Sequence, residues 1–318
     1  MPPRVSIVMP VYNVAPYLEE AVESILNQTF DDFEFIILND CSPDNSEEIL
    51  NNYSDKRIVR YKGEKNVGFA NVLNIGIKMA RGEFIARMDS DDISLPRRIE
   101  TLVNFLDEHP EVDLVSAGIQ QFGTSERVFS FTTNAEEVKF NAMSYSPILH
   151  ASSMWRRDRF LNNELFYKQE MVPSEDYDLW TRALCKGLVL VNIPDILYLY
   201  RSHPSQVTSV NKDWSKNTII KSRYLQTIFP GISEKHIRDF TSLMEINDPV
   251  RVDSICKDLE SLNDKVCFFD KSFLKSKLRR YYQARLFNDM KSNGIKWRSI
   301  IELRPSQIFK LLTTRSND

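Results

Sequence analysis

The chain has 318 residues, 42% of them hydrophobic, and a formal charge of −3 at neutral pH, an ordinary composition with enough apolar material for about two domains. No apolar run approaches the roughly 18 residues of a membrane-spanning helix, and Met-Pro-Pro-Arg-Val-Ser-Ile-Val leads straight into a strand pattern rather than a signal peptide, so a cytoplasmic protein is expected. Cys41, Cys185, Cys256 and Cys267 form neither a Cys-x-x-Cys pair nor a zinc spacing and read as reduced thiols.

Val5 to Val11 is a buried strand, and the following segment carries Leu18, Val22, Ile25 and Leu26 at helical spacing, with Asn13 placed to cap it. Phe35 to Leu38 is a second strand, ending in Asn39-Asp40-Cys41-Ser42-Pro43 before a helix from about Ser46. The alternation continues through a strand at Ile58 to Tyr61, the turn Asn66-Val67-Gly68, a helix over Phe69 to Ala80, and a short strand from Phe84 to Met88. Near-continuous apolar strands alternating with amphipathic helices predict a mostly parallel sheet covered on both faces. In such sheets ligands bind beyond the carboxyl ends of the strands, where Tyr12, Asp40 and Asp89 all fall.

The stretch Arg87-Met-Asp-Ser-Asp-Asp-Ile-Ser-Leu-Pro-Arg-Arg98 puts Asp89, Asp91 and Asp92 at the end of the fourth strand. Like charges this close need a cation or solvent to compensate them, and hard divalent ions such as Mg2+ or Mn2+ are typically held by one or two carboxylates plus substrate phosphates. A Gly-x-Gly-x-x-Gly after the first strand and a Gly-x-x-x-x-Gly-Lys-Ser/Thr are both missing, which argues against dinucleotide oxidoreductases and P-loop enzymes.

After a helix over Pro96 to Glu108 and a strand over Val112 to Ala117, the alternation breaks down. Strands are predicted at Val128 to Thr132 and Ile148 to Trp155, separated by a helical turn near Ala135 to Met143. Ser174-Glu-Asp-Tyr-Asp-Leu-Trp180 opens a helix, followed by two short strands, Leu188 to Asn192 and Ile196 to Tyr200, and Arg201-Ser-His-Pro204. Acidic residues suit a helix's first turn for electrostatic reasons alone. His150 and Trp180 read mainly as packing, with a place on the wall of a ligand site as the alternative for either and Trp180 offering an aromatic face for stacking. From about Asp213 the period is helical, so a boundary is expected near 210, dividing a domain over 1–210 (halves about 1–118 and 119–210) from a helical region over 211–318. Lys271 to Asp318 holds 12 Lys+Arg against 3 Asp+Glu, a net of +9 that leaves −12 for the rest, so the tail either forms a solvated helix face or meets an anionic partner. Leu274, Leu278, Tyr281, Tyr282, Leu286, Ile300, Ile301, Ile308, Leu311 and Leu312 supply its apolar side, and Lys275, Lys277, Arg279, Arg280, Lys296, Arg298 and Lys310 its basic one.

Val-Ser-Ile-Val-Met-Pro-Val-Tyr-Asn, Asn-Asp-Cys-Ser, Asn-Val-Gly with Asn74 beyond it, Asp-Ser-Asp-Asp, Ser-Glu-Asp-Tyr-Asp-Leu-Trp and Tyr-Arg-Ser-His occur here in the order found in family 2 glycosyltransferases, which the chain resembles over about residues 4–210. The resemblance implies a GT-A fold, Rossmann-like and mostly parallel. It also implies inverting transfer of a sugar from a nucleoside-diphosphate donor, most often UDP, to an acceptor hydroxyl. On that basis Asp40 is the carboxylate that accepts from the base's ring N–H, with Pro10 and Tyr12 lining the nucleoside slot and Asn66 nearby. Asp91 is the direct metal ligand of an Asp-x-Asp pair, Asp89 reaches ribose or metal-bound water, and His203 meets the metal or diphosphate. Asp176 matches the catalytic base.

The implied cofactor is Mn2+ or Mg2+. The implied partners are a nucleotide sugar and a saccharide or lipid-linked saccharide acceptor, without nucleic acid, in surface polysaccharide, capsule or lipopolysaccharide assembly. The tail has two readings: its apolar residues pack against the catalytic domain, or, interleaved with its basic ones, they lie on an anionic membrane face where a lipid-linked acceptor resides. Many relatives have Asp-Asp-Gly-Ser where this chain has Asn39-Asp40-Cys41-Ser42, and the Gln-x-x-Arg-Trp motif of processive synthases is missing, so one sugar per binding event is expected. The rival readings are a binding or scaffold protein that kept the fold without turnover, and a metal-dependent phosphohydrolase. The latter would have its acidic motif after the first strand and leave Asp40 and Asp176 without roles.

Overall fold

In the computed structural model, which describes residues 2–204, 206 and 214–292, the first strand, β1 (Val5–Val11), is buried along its whole length. Its side chains alternate between two faces. Val5, Ile7, Met9 and Val11 join a core with Leu18, Ala21, Val22 and Ile25 of helix α1 (Ala15–Leu26) and Ile99, Leu102, Val103 and Leu106 of α4 (Arg98–Glu108). On the opposite face Val8, with Leu38, meets Gly76 of α3 (Phe69–Met79) so closely that a methyl group there would lie 2.6 Å from both side chains. One strand with two apolar faces therefore recruits helices on both sides, as a buried parallel strand must.

Around β1 the sheet runs β3 (Ile58–Lys62), β2 (Phe33–Asn39), β1, β4 (Phe84–Arg87), β8 (Ser153–Arg156), β6 (Leu114–Gly123), β9 (Leu190–Ser202) and β5 (Ile93–Ser94), with β7 (Arg127–Phe129) on β6. The first four of these pair in parallel; β8 is antiparallel to both β4 and β6, and β9 is parallel to β6. The insertion of β8 is where the alternation fails in the sequence. The remaining helices of this part are α2 (Ser46–Asn51), α5 (Ala135–Asn141), α6 (Arg157–Asn162), α7 (Glu175–Cys185) and α8 (Ser215–Ile228).

Three local expectations change. Asn13 does not cap α1: it takes a left-handed φ of 56°, Val14 is the N-cap residue, and the amide of Ala15 donates to Asp44 Oδ2 at 2.8 Å. Much of the strand expected over Ile148 to Trp155 is instead a 3-10 turn, His150–Ser152, before β8. The two short strands after α7 are one, because Pro194 and Asp195 are extruded opposite Gly118 while pairing with β6 resumes at Ile196. Proline without an amide proton is at home in such a bulge.

The chain divides into two compact units, Met1–Pro230 and Gly231–Asp318. The first extends past the boundary expected near 210 because α8 packs on α7, where Arg223 pairs with the fully buried Asp178 and the Tyr224 hydroxyl donates to Lys139 O at 3.0 Å. The second holds α9 (Glu234–Thr241), α10 (Pro249–Val266) and α11 (Lys271–Ser292). The last two helices pack together and bury Ile255, Leu259, Leu274 and Leu278. Ile300, Ile301, Ile308, Leu311, Leu312, Lys296, Arg298 and Lys310 lie outside the described residues. Among those described, no helix is long and apolar enough to cross a membrane.

Gly82, which leads into β4, lies against β1 so tightly that an added Cβ would sit 2.6 Å from Ser6 N and 2.8 Å from the Val5 carbonyl carbon. Backbone cannot yield as a side-chain end can, so Gly82→Ala should cost about 2 kcal/mol or more. Urea unfolding with an unchanged midpoint would contradict this packing.

Candidate active site

Beyond the carboxyl ends of β1, β2 and β4 lies a cavity of about 700 Å³, and Pro10, Tyr12, Asp40, Asn66, Asp89, Asp91, Asp176 and His203 all line it. These eight residues thus meet at one place. Their settings differ.

Asp40 is buried, and its two oxygens accept from the amides of Val67 at 2.9 Å and Gly68 at 3.0 Å. It therefore holds the Asn66-Val67-Gly68 turn against the end of β2, and any ring N–H must use its remaining lone pairs. Asn39 accepts from the Ser42 amide at 2.9 Å and donates to Glu47 at 2.6 Å, so its amide serves the turn as both acceptor and donor. Cys41 takes a φ of +59°, a left-handed conformation that glycine adopts more readily than a residue with a side chain.

The acidic turn rests on two fully buried arginines that the sequence reading passed over. Arg87 donates to Asp89 Oδ1 at 2.5 Å and to the carbonyl of Met88, with its guanidinium 5.3 Å from the Phe69 ring centroid. Arg98 donates to Ser94 Oγ at 2.7 Å and to the carbonyls of Arg87 at 2.9 Å and Ala151 at 3.2 Å, and stands over the Tyr198 ring. Burial lowers Arg98 only to about 10, so it stays cationic at neutral pH. Burial raises Asp89, with Arg87 opposing it; burial and the neighbouring Asp91 and Asp89 push Asp92 well up.

Asp91 and His203 face each other, Oδ2 to Nε2, at 3.0 Å. What brings them together is Arg201: its amide donates to Asp92 at 2.7 Å and its Nε to the Asp91 carbonyl at 2.8 Å, while its guanidinium lies between the rings of Tyr17 and Phe122. Among the described residues no group of three His, Cys, Asp or Glu side chains is arranged to hold a metal. One carboxylate and one imidazole, completed by phosphate oxygens, still form a donor set suited to Mn2+ or Mg2+.

Across the cavity, α7 presents its first turn. Asp176 accepts from its neighbour's amide, Tyr177 N, at 2.6 Å and from Ser146 Oγ at 3.3 Å. Burial outweighs those bonds and, with Asp89 adding, pushes its carboxyl up to about 6. Glu175, also on the wall, is 6% exposed, and among the described residues its Oε2 has no hydrogen-bond partner. Burial and Asp176 raise it to about 8. Asp178 points away, between Arg182 and Arg223. His150 lines the cavity, bonded to the Tyr167 hydroxyl at 2.8 Å and kept neutral by burial. Trp180 is fully enclosed by Trp155, Phe160 and His150, so no sugar stacks on it.

Residues 6–168 match the sequence profile described as glycosyl transferase family 2. The chain is 30% identical over 312 residues to an uncharacterized glycosyltransferase of Haemophilus influenzae, covering 92% of this chain and 94% of that protein. It is 31% identical to the minor teichoic acid biosynthesis protein GgaB of Bacillus subtilis over 68% of this chain and 25% of that one. Among solved structures, S. aureus TarS 1-349 in complex with UDP-GlcNAc superposes with a TM-score of 0.62 at 17% identity, covering 92% of this chain and 93% of that one. The mannosyltransferase PcManGT from Pyrobaculum calidifontis, in complex with GDP-Man and Mn2+, gives 0.53 at 16% identity, covering 91% and 88%. The likeness to these structures establishes a GT-A fold.

Glu175 provides a check on the electrostatics. Its folded value lies above the ordinary 4.5, so the stability gained from its neutral form is complete below about 4.5 and lost as pH rises through about 8. Glu175→Gln cannot ionise. It should match the wild type near pH 5 and melt about 2–5 °C higher near pH 8.5; an equal difference at both pH values would contradict the buried charge.

Proposed function

The chain belongs to glycosyl transferase family 2, and from that membership we propose a metal-dependent, inverting, non-processive transferase that moves one sugar from a UDP-sugar to an acceptor hydroxyl in surface polysaccharide or oligosaccharide assembly. The observation that carries this reading is the meeting of Asp89, Asp91 and Asp176 on one cavity, with the last raised to about 6. A group near that value is a base at neutral pH yet still takes up a proton readily. The UDP choice draws support from the TarS complex with UDP-GlcNAc, and the pathway from the name of the teichoic acid relative.

In this reading Pro10, Tyr12, Asp40 and Asn66 form the nucleoside slot. Asp91 and His203 would hold Mn2+ or Mg2+, and Asp89, steadied by Arg87, would meet the ribose or a water on the metal. When bound, the metal would supply Lewis-acid chemistry that neutralises charge on the leaving diphosphate. Asp176 accepts the proton of the acceptor hydroxyl as its oxygen bonds to the anomeric carbon from the side opposite the phosphate. The carbon–oxygen bond to the nucleoside diphosphate breaks in the same step, and the anomeric configuration inverts. Exposed Lys275, Arg279 and Arg280 on α11 support a place at the cytoplasmic, anionic face of the membrane for a lipid-linked acceptor.

Asp176→Asn should lower turnover by about 10²- to 10⁴-fold while leaving donor affinity within about twofold of wild type. Wild-type kcat/KM should fall as pH drops through about 6, where the base becomes protonated. Initial rates across pH on both proteins check this; near-normal turnover of Asp176→Asn would remove Asp176 from the base role.

A further inference from the structure

Gln169 begins the 3-10 turn Gln169–Met171, between α6 and α7, and lies on the cavity wall. Its Oε1 accepts from the amides of Ala70 at 3.0 Å and Asn71 at 3.3 Å, in the first turn of α3. No side chain of the preceding turn caps that helix; Gln169 does so from almost a hundred residues away.

That bond decides the orientation of the amide. An oxygen shared by two main-chain donors cannot be exchanged for an NH2 group without setting donor against donor. Nitrogen Nε2 is therefore at the other end, and among the described residues it has no protein acceptor. The amide is held on its face as well: a Cβ built on Gly68 would lie 2.7 Å from Gln169 Cδ, Oε1 and Nε2. Gly68 has a φ of +92°, and its amide is bound by Asp40. Two residues before Gln169, the main chain of Tyr167 is gripped by Asn74, which donates to its carbonyl at 2.8 Å and accepts from its amide at 2.9 Å. The glycine of Asn-Val-Gly and the asparagine beyond it thereby acquire a shared purpose, to hold one amide still.

Five carboxyl groups share the cavity wall, those of Asp40, Asp89, Asp91, Glu175 and Asp176. An anionic ligand needs fixed N–H donors there, and a pre-oriented amide supplies one with little ordering cost. Resting on the nucleotide-sugar reading above, we propose that Gln169 Nε2 donates a hydrogen bond to an oxygen of the donor substrate, either a diphosphate oxygen or a sugar hydroxyl. Gln169 is thus a donor-binding residue as well as the cap of α3.

The test is calorimetric titration of the full chain, wild type, Gln169→Met and Gln169→Glu, with UDP, UDP-GlcNAc and GDP-mannose, each with Mn2+, at about 0.1 and 0.5 M salt. Melting of each unliganded protein accompanies it. Glutamate still accepts from Ala70 and Asn71 and favours a helix N-terminus, so its unliganded melting point should stay near wild type, while methionine lowers it. Both variants should bind the nucleotide sugar about tenfold more weakly, and the loss should persist at high salt, where the field of the added carboxylate is screened. A loss that extends to UDP alone assigns the contact to the diphosphate; a loss confined to the nucleotide sugar assigns it to the sugar. Affinity within about twofold of wild type in folded Gln169→Met overturns the role of Gln169 and leaves the nucleotide-sugar reading intact. Failure of the wild type to bind any of the three ligands overturns that reading and this proposal with it.

Discussion

The charge balance beneath the acidic turn governs this structure. Asp89, Asp91 and Asp92 gather at the end of β4, and without compensation their repulsion would oppose folding. Arg87 and Arg98, both fully buried, supply the compensation from below. Taking two guanidinium groups out of water is costly, and it is offset only because each is hydrogen-bonded to carbonyls, a carboxylate or a hydroxyl and faces an aromatic ring. Of the turn's two carboxylates on the cavity wall, Asp89 is bound by Arg87 and Asp91 has an imidazole beside it. The cations that stabilise the turn thus also set the charge that each of its carboxylates presents to a ligand.

A second constraint is that the two sides of the cavity come from distant parts of the chain. Asp40 and the Asn66–Gly68 turn belong to the first three strands; Asp176 belongs to α7. They are tied directly, through Asn74 to Tyr167 and through Ala70 and Asn71 to Gln169. From behind, α8 secures the same segment, with Lys216 Nζ donating to Val172 O at 2.7 Å and Arg223 bound to Asp178. In a one-step transfer the base must stand at a fixed distance from the donor's anomeric carbon, and small misplacements are costly in rate. These bonds fix the separation of Asp176 from the Asp40 side of the cavity, as the proposed one-step transfer requires.

Much of this was legible in the sequence where the signal is local. The strands β1, β2 and β4 are short apolar runs ended by polar turns, and the rule that ligands lie beyond their carboxyl ends led to Tyr12, Asp40 and Asp89, all on the cavity. Acidic residues crowded at a strand end announced the turn at 89–92. The parts that were not legible depend on contacts distant in sequence. Arg87 sits within an apolar strand and Arg98 in an amphipathic helix, and nothing in the local period distinguishes a buried guanidinium from a solvated one. Asn13 had the right chemistry for a cap, but the left-handed turn placed Asp44 there instead. The bulge at Pro194 and Asp195 looked like a strand end because a proline and an acidic residue are ordinary breakers. Gln169, seven residues before Asp176, carries no motif at all.

The measurement that bears most directly on the account is thermal unfolding of wild type and Asp91→Ala with UDP, with Mn2+, and with both. At 100 times its dissociation constant a ligand adds about 2.7 kcal/mol, a shift of several degrees for a unit of this size. The account predicts a full shift in the wild type only when UDP and Mn2+ are present together, and its loss in Asp91→Ala. A UDP shift of the same size without metal, or one that survives Asp91→Ala, would contradict it.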